Sequence, residues 1–381
     1  MPAQLRVWIW TDLSGSWAAV VTLSLKKIVV ALSLGAFLAA GPSIVVTPVQ
    51  AATTQKAKTS GVKKTSAKKT SAKKSVKRTN SRKSLAKAKH AVKKSKKPRR
   101  QARRRATAPS QATLAGLRQT PDLLSLGSSV SLAVDQDTGE ELFSKNAGIE
   151  LPIASVTKLM TALVIAESGL KMDERIRITR EDYVRSNARS KLRSGMRMTR
   201  GAVLKAALMS SDNRAATALA RTYPGGRKAF VRKMNETAAR LGMTDSVFAD
   251  PSGLDNRNHA TARDLAKLVA EAHKHEVIRD SSTMQFSSIR AGRQQLKLVT
   301  TNRLIGNPDW NIGVQKTGFT TAAGRCMVVQ SEFADRRVVM VLLDSPNSAQ
   351  RAADMQTMRT FVENEDRINE QFGSVRPYEV F

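Results

Sequence analysis

Cysteine is almost absent from this sequence, which has Cys326 as its one thiol in 381 residues. A single cysteine cannot form an internal disulfide, so a disulfide scaffold is excluded as the basis of the fold. In an exported protein, an isolated thiol is most simply a small apolar residue of the interior. We therefore expect Cys326 to be buried.

Acidic residues are absent from residues 52–120, which contain 24 lysines and arginines and carry most of the net charge of +33. Large apolar side chains are also nearly missing between Lys56 and Arg105, so the segment cannot offset the entropy cost of folding. We predict a disordered, extended tether over residues 52–120. Its candidate partner is an anionic envelope surface, and a solvated spacer is the alternative.

The N-terminus has the pattern of an export signal. Lys26 and Lys27 precede an apolar run from Ile28 to Val46, and Val49-Gln50-Ala51 offers small residues at a cleavage position. This order predicts a cleaved signal peptide within residues 1–51 and a periplasmic protein, which argues against nucleic acid as the partner of the basic segment. An uncleaved anchor is the alternative, because the run is about long enough to span a bilayer.

Residues 121–381 have mixed charge and enough aliphatic content to bury a substantial core, so we predict one domain there. Alternation over residues 130–134 and 140–144 predicts a β-hairpin. Helices are predicted over residues 153–168, 201–221, 262–273 and 349–372, strands over residues 311–317, 325–332 and 338–343, and a turn over residues 334–337. This order of elements predicts an α/β (α+β) fold, in which a mostly antiparallel sheet is flanked by helices and carries an inserted helical region.

The first motif is Ser155-Val156-Thr157-Lys158, at the start of an apolar helix. Residues three apart share one helix face, so the Ser155 hydroxyl and the Lys158 amine can meet. A serine needs a neighbouring base to become a nucleophile, and burial can lower the pKa of a lysine enough for that role. The same spacing recurs in the basic segment, at Ser60/Lys63, Ser66/Lys69, Ser71/Lys74 and Ser84/Lys87. None of these pairs leads a buried helix, so the helical context singles out Ser155.

The second motif, Ser211-Asp212-Asn213, supplies a hydroxyl and an amide at a break between apolar helical turns. An isolated triplet of this kind is more often a polar turn or a helix cap. Ser345-Pro346-Asn347 shows how easily a Ser-x-Asn arises. The triplet therefore gains meaning through its combination with other motifs.

The third motif is Lys316-Thr317-Gly318, at the end of the strand that begins near Asn311. Lys316 would supply positive charge beside the nucleophile, and the Thr317 hydroxyl could donate to a carboxylate. Gly318 has no side chain, so a peptide backbone could lie against the strand. Alone, such a strand end is unremarkable.

Together, the three triplets form an ordered set. Ser-x-x-Lys, Ser-x-Asn and Lys-Thr-Gly in this order are the motifs of penicillin-binding proteins and class A β-lactamases. The chain resembles the low-molecular-mass penicillin-binding proteins over about residues 123–365, and most of all the D-alanyl-D-alanine endopeptidase branch. The resemblance also includes residues 208–216, Phe248–Leu254, Ala260–Ala266 and Gln315–Cys326.

This resemblance implies functional roles for the motif residues. Ser155 would be the acylated nucleophile, Lys158 its general base and Ser211 a proton relay to the leaving amine. The residues implied in substrate binding are Asn213, Lys316, Thr317, Gly318 and Phe319. The backbone N–H groups of Ser155 and Phe319 would form the oxyanion hole. The substrate implied is the crosslinked peptide of peptidoglycan, β-lactams are implied as inhibitors, and no metal or organic cofactor is implied.

Two rival functions use the same sequence. A D-alanyl-D-alanine carboxypeptidase would use the same motif residues on a terminal bond, although the short segment after Gly318 favours the endopeptidase. A basic polyanion-binding protein with a passive folded part would depend on residues 52–120 and not on Ser155. Between Asn213 and Lys316 there is no Glu-x-x-Leu-Asn segment, which argues against efficient β-lactamase activity.

Overall fold

The computed structural model describes residues 108–186, 188–333 and 336–372. The predicted signal peptide and residues 52–107 of the predicted tether lie outside the described residues, as do Ala334 and Asp335 of the predicted turn. Among the helices of the described part, none has both the length and the apolar composition needed to cross a membrane.

Five of the eleven described strands form one antiparallel sheet. The described strands are β1 (Val130–Asp135), β2 (Glu141–Lys145), β3 (Leu151–Pro152), β4 (Arg175–Arg177), β5 (Arg197–Thr199), β6 (His259–Ala260), β7 (Phe286–Ala291), β8 (Gln294–Val299), β9 (Asn311–Thr320), β10 (Gly324–Phe333) and β11 (Arg336–Ser345). The main sheet has the order β2-β1-β11-β10-β9, and all of its pairings are antiparallel. β3 pairs with β6, β4 with β5, and β7 with β8.

Helices cover both faces of this sheet. The described helices are α1 (Gln111–Leu114), α2 (Thr157–Glu167), α3 (Arg200–Met209), α4 (Asn213–Arg221), α5 (Gly226–Arg240), α6 (Ala262–His273), α7 (Glu276–Thr283) and α8 (Ser348–Phe372). Apolar side chains of α8 pack on one sheet face, and those of α2 and α6 belong to the core on the other. The predicted fold class, an antiparallel sheet with an inserted helical region, is confirmed, as is burial of Cys326.

The helix predicted over residues 201–221 is wrong as a single element. α3 ends at Met209 and α4 begins at Asn213. The Asp212 side chain accepts a hydrogen bond from the Ala215 N–H and caps α4, and Ser211 has a positive φ of 54°. Because a left-handed residue cannot continue a helix, the chain breaks at the second motif.

Two further boundaries differ from the sequence predictions. β9 continues to Thr320, so Lys316-Thr317-Gly318 lies inside the strand instead of at its end. N-terminal to Pro121, the Gln111 N–H donates to the Ala322 carbonyl at 3.0 Å, and the Arg118 guanidinium pairs with Asp344 at 3.0 Å. Contacts of the folded part therefore begin before the predicted end of the tether.

The short β4–β5 pair and the β7–β8 hairpin were not predicted. Arg336 and Arg337, assigned to a turn from the sequence, begin β11.

Candidate active site

Ser155 lies in a single 3-10 turn, Ala154–Val156, that leads directly into α2. Every α2 residue from Thr157 to Ile165 is buried. The apolar run that predicted this helix therefore encloses Lys158, whose side chain is fully buried. Ser155 itself is partly exposed, so a hydroxyl open to substrate sits one helical turn from a lysine shielded from water.

The Lys158 amine has three oxygen neighbours. Its Nζ lies 2.8 Å from Ser155 Oγ, 2.7 Å from Asn213 Oδ1 and 2.6 Å from the Ser252 carbonyl oxygen. The amide and carbonyl oxygens are acceptors only, so they use two N–H groups of the amine. In a neutral amine, the remaining position is the lone pair, which would then face the Ser155 hydroxyl. The arrangement can therefore accept the serine proton.

Burial sets the charge of this lysine. Loss of hydration disfavours the ammonium form and lowers the pKa of Lys158 to about 7, although the negative charges of Asp250 and Asp212 oppose the shift. A substantial fraction of Lys158 is then neutral near physiological pH. A lysine that is partly neutral can act as a base towards a neighbouring serine hydroxyl.

The space bordered by Ser155, the second motif and β9 is here called the active-site groove, and the second motif forms one side of it. The Ser211 hydroxyl lies 2.9 Å from Lys316 Nζ. The amide of Asn213 is divided between two partners, because its oxygen accepts from Lys158 while its nitrogen donates to Ser186 Oγ at 3.2 Å. The break between α3 and α4 thus places Ser211 against Lys316 and Asn213 against Lys158.

The third motif lies on β9, which forms the edge of the main sheet. Lys316 is fully buried and also donates to the Thr317 carbonyl at 2.7 Å. Burial lowers the pKa of Lys316 well below its usual value, and the nearby charges of Lys158 and Arg351 act in the same direction. The Thr317 hydroxyl pairs with Thr301 Oγ1 at 2.6 Å.

Gly318 allows β9 to touch the turn that carries the serine. A Cβ at this position would lie 2.9 Å from the Ile153 carbonyl oxygen and 3.1 Å from the Ser155 nitrogen, distances at which backbone must shift. The next residue, Phe319, is 49% exposed, and the Arg325 guanidinium stacks over its ring at 4.6 Å. The backbones of Ser155 and β9 therefore meet at the mouth of the groove.

All the residues singled out by the sequence converge on one groove: Ser155, Lys158, Ser211, Asn213, Lys316, Thr317, Gly318 and Phe319. Sequence reasoning missed the Ser252 carbonyl, Thr301 and Ser186. The loop that carries the Ser252 carbonyl is held by the Asp250 carboxylate, which accepts from the N–H groups of Ser252 and Gly253. Phe248–Leu254 had been noted as part of the family resemblance, and that was the available signal.

One group of possible metal ligands occurs in the described part of the chain, away from this groove. Glu167, Glu271 and His275 bring their ligand atoms together. However, the Arg240 guanidinium contacts both carboxylates, at 2.5 Å and 3.9 Å. The group is therefore organised as an ion-pair cluster.

Comparison with known proteins places this groove in context. A family model described as D-alanyl-D-alanine carboxypeptidase matches residues 117–347. A D-alanyl-D-alanine endopeptidase of Pseudomonas aeruginosa is 39% identical over 241 residues, which are 62% of this chain and 78% of the relative. A protein of the same name from Escherichia coli is 36% identical with the same coverage. A D-alanyl-D-alanine carboxypeptidase of Bacillus subtilis is 31% identical over 61% of each chain.

Solved structures show the same fold. A Streptomyces DD-transpeptidase superposes with a TM-score of 0.57 at 27% identity, over 62% of this chain and 97% of that one. A penicillin-binding protein from Listeria monocytogenes, in an ampicillin-bound form, gives a TM-score of 0.56 at 28% identity over 63% and 99%.

Proposed function

Because the chain belongs to the D-alanyl-D-alanine carboxypeptidase family of serine peptidases, we propose that it is an endopeptidase that cleaves D-alanyl peptide crosslinks of peptidoglycan. The observation that carries the proposal is the contact of Ser155 Oγ with the buried Lys158 amine at 2.8 Å. Two acceptors on that amine direct its lone pair to the serine. Such a pair forms and hydrolyses acyl-enzymes without a metal.

In the proposed reaction, Lys158 takes the hydroxyl proton while Ser155 Oγ attacks the carbonyl carbon of the D-alanyl residue. The backbone N–H groups of Ser155 and Phe319 would stabilise the oxyanion, each contributing about 3 kcal/mol. The C–N bond then breaks, and we assign to Ser211 the relay of a proton to the leaving amine. Water hydrolyses the ester and restores the Ser155 hydroxyl.

Substrate binding is assigned to the walls of the groove. Asn213 would orient the peptide backbone of the substrate, and Thr317 would donate to its carboxylate. Lys316 would supply positive charge beside Ser155, and the edge of β9 would pair with the substrate backbone. The room that Gly318 was predicted to leave for the substrate is taken by the serine turn, which its missing side chain allows to approach. Since a β-lactam presents a strained amide to the same serine, we also propose that penicillins acylate Ser155.

The alternative function is a carboxypeptidase that removes a terminal D-alanine with the same residues. The endopeptidase is favoured because two relatives of that name are 39% and 36% identical, whereas a carboxypeptidase relative is 31% identical. The two activities differ in which bond is cut.

Mass spectrometry of digested muropeptides tests this choice. We expect the full-length chain to convert soluble crosslinked dimers into two monomers with the gain of one water, while monomers that end in D-alanyl-D-alanine are processed at least tenfold more slowly. The Ser155→Ala variant is the control and should leave the dimers intact. Release of D-alanine from monomers without dimer cleavage would assign the carboxypeptidase activity, and dimer cleavage by the control would reject Ser155.

The location of the enzyme follows from this substrate. Peptidoglycan lies outside the cytoplasm, so the chain must be exported to act on it. We propose a periplasmic enzyme whose signal peptide within residues 1–51 is cleaved. The order of Lys26 and Lys27, an apolar run and small residues supports this assignment.

We further propose that the basic segment attracts the enzyme to anionic envelope surfaces. Residues 52–107 contain 23 lysines and arginines and no acidic residue. Near an anionic membrane each such charge contributes about 1 kcal/mol. Deletion of residues 52–107 keeps α1 and its contacts, and should abolish co-sedimentation with anionic vesicles at low salt while cleavage of soluble dimers stays within about twofold. Unchanged sedimentation would leave the segment a solvated spacer, and a large loss of dimer cleavage would connect it to the active site.

A further inference from the structure

Two segments near the active-site groove carry positive charge and no negative charge. Residues 183–211 and 281–308 together contain eleven lysines and arginines and no aspartate or glutamate. The exposed members, here called the cationic surface, are Arg185, Arg189, Lys191, Arg193, Arg197, Arg290, Arg293, Lys297 and Arg303. Within the described part of the chain, none of these side chains pairs with a carboxylate, although most exposed arginines of α5, α6 and β11 do.

The two segments adjoin in space. The Gly292 N–H at the tip of the β7–β8 hairpin donates to the Arg197 carbonyl at 3.0 Å. Lys191 Nζ donates to the Lys297 carbonyl at 2.5 Å. Arg193, Arg197 and Arg293 line one cleft between them. Around this cleft, cations of both segments therefore lie side by side on one surface.

The cationic surface also borders the groove. Ser186 Oγ accepts from the Asn213 amide at 3.2 Å, and Ser190 Oγ donates to Asp212 at 2.7 Å. Ser210 Oγ donates to the carbonyl of Val299, at the end of the hairpin, at 3.2 Å. A polymer seated at Ser155 that extends past the second motif would therefore cross this surface.

We propose that the cationic surface is a second binding site for the substrate, which takes carboxylates of stem peptides next to the crosslink being cut. The inference rests on the proposed function and deepens it. Unpaired arginines repel one another, and a polyanion relieves that repulsion. Each exposed ion pair between a cation and a carboxylate is weak. Several carboxylates on one glycan strand act together, however, because binding of the first raises the local concentration of the others. A soluble dimer is too short to engage the surface fully, whereas a strand with many stem peptides is not.

The test compares two triple variants of the full-length chain. Arg193→Gln/Arg197→Gln/Arg293→Gln removes three charges from the cleft. Lys171→Gln/Lys228→Gln/Arg232→Gln removes three exposed charges on the loop after α2 and on α5, whose side chains have no partner within the described part of the chain. The basic segment is the same in both, so its attraction to the substrate cancels.

The measured quantity is kcat/KM on soluble crosslinked glycan strands and on the soluble dimer. For the cleft variant, we expect a loss on the order of tenfold on strands at low salt and less than about twofold on the dimer. The control should match the native chain on both. At 1 M salt the difference should vanish, because the Debye length falls to about 3 Å.

Several outcomes would overturn the second site. One is a loss of kcat/KM that is equal on glycan strands and on the muropeptide dimer, or equal in the control variant. Another is a difference between the variants that persists at 1 M salt. A third is unchanged cleavage of strands with loss of binding to anionic vesicles, which would assign the surface to lipid. If the native chain cut neither substrate, the proposed function would fail separately. The affinities of the native protein, the cleft variant and the control variant for glycan strands would then test the second site. Equal affinities would reject it.

Discussion

Replacing Lys158 with arginine is expected to slow the acylation of Ser155 by penicillin on the order of a thousandfold or more. Arginine keeps the positive charge, but its guanidinium stays protonated at neutral pH and has no lone pair to accept the serine proton. Lys158 is fully buried, and its amine lies 2.8 Å from Ser155 Oγ. The rate is followed by the mass of the intact protein with time, and peptide mapping places the adduct on Ser155.

A second buried lysine provides the control for this substitution. Lys145 is buried, and its amine pairs with Asp122 at 2.8 Å and donates to the Leu126 carbonyl at 3.0 Å, so both partners lie outside the three motifs. Lys145→Arg therefore tests whether a larger cation in the interior alone disturbs the domain, and its acylation rate should stay within about threefold of native. A loss of tenfold or less in Lys158→Arg would mean that Lys158 positions Ser155 without acting as its base.

The native chain should show the same dependence as a pH profile. Burial lowers the pKa of Lys158 to about 7, so the neutral amine increases as the pH rises through that value. The acylation rate should therefore rise about tenfold per pH unit below 7 and level off above it. In Lys158→Arg, this inflection should disappear. A native rate that is flat or falls between pH 6 and 8 would contradict a neutral lysine base.

The sequence predicted those elements whose signals are local. Thr261 caps α6 as expected, because its side chain accepts from the Asp264 N–H, and the helix covers residues 262–273 as predicted. The first hairpin that alternation predicted is present as β1 paired with β2, although β1 is buried at nearly every position. In both cases, neighbouring residues alone supply the cap or the apolar face, so no distant contact is needed.

Elements that depend on distant contacts were missed. The Ala-rich run over residues 201–221 has no glycine or proline after Gly201. The polar Ser211-Asp212-Asn213 triplet indicated a break, but nothing local announces the left-handed φ of Ser211. That conformation is accompanied by contacts from afar, in which Ser190 bonds Asp212 and Lys316 bonds Ser211. The β7–β8 hairpin has one exposed face with polar residues on both strands, which weakens its apolar signal.

In the active-site groove, too, the parts with a local sequence signal could be predicted and the others could not. Its side chains could be predicted because motif order identifies residue types, and the structure brings all of them together. The Ser252 carbonyl could not, because a backbone oxygen is the same in every residue and only the fold decides where it points. Yet this carbonyl oxygen is one of the two acceptors, with Asn213 Oδ1, that bind the N–H groups of the Lys158 amine. The loop that holds it is therefore as important to the lysine as Asn213.

Gly253 is the position in that loop where one added methyl group should have the largest effect. Its φ is +78°, and a Cβ there would lie 1.8 Å from the Ala154 carbonyl oxygen and 2.4 Å from the Ala154 carbonyl carbon. Both neighbours are backbone, so the loop or the serine turn must move. Because Ser252 and Ser155 both contact Lys158, either movement separates the base from one partner. We expect Gly253→Ala to reduce acylation by penicillin on the order of a hundredfold, the cost of a displacement of about 1 Å in a catalytic group.

Gly169 separates this clash from backbone strain. It has a φ of +67° with no atom within 4 Å of its added Cβ, and it follows the other end of α2. Both Gly→Ala variants therefore bear the cost of a left-handed alanine, roughly 1–2 kcal/mol, but only Gly253→Ala adds the collision. Gly169→Ala should lower the melting temperature by a few degrees and keep the native acylation rate. Gly253→Ala should lower the melting temperature further. If both variants acylated at the native rate, the Asp250–Gly253 loop would have no part in holding Lys158, and the Ser252 carbonyl would be a bystander to the reaction.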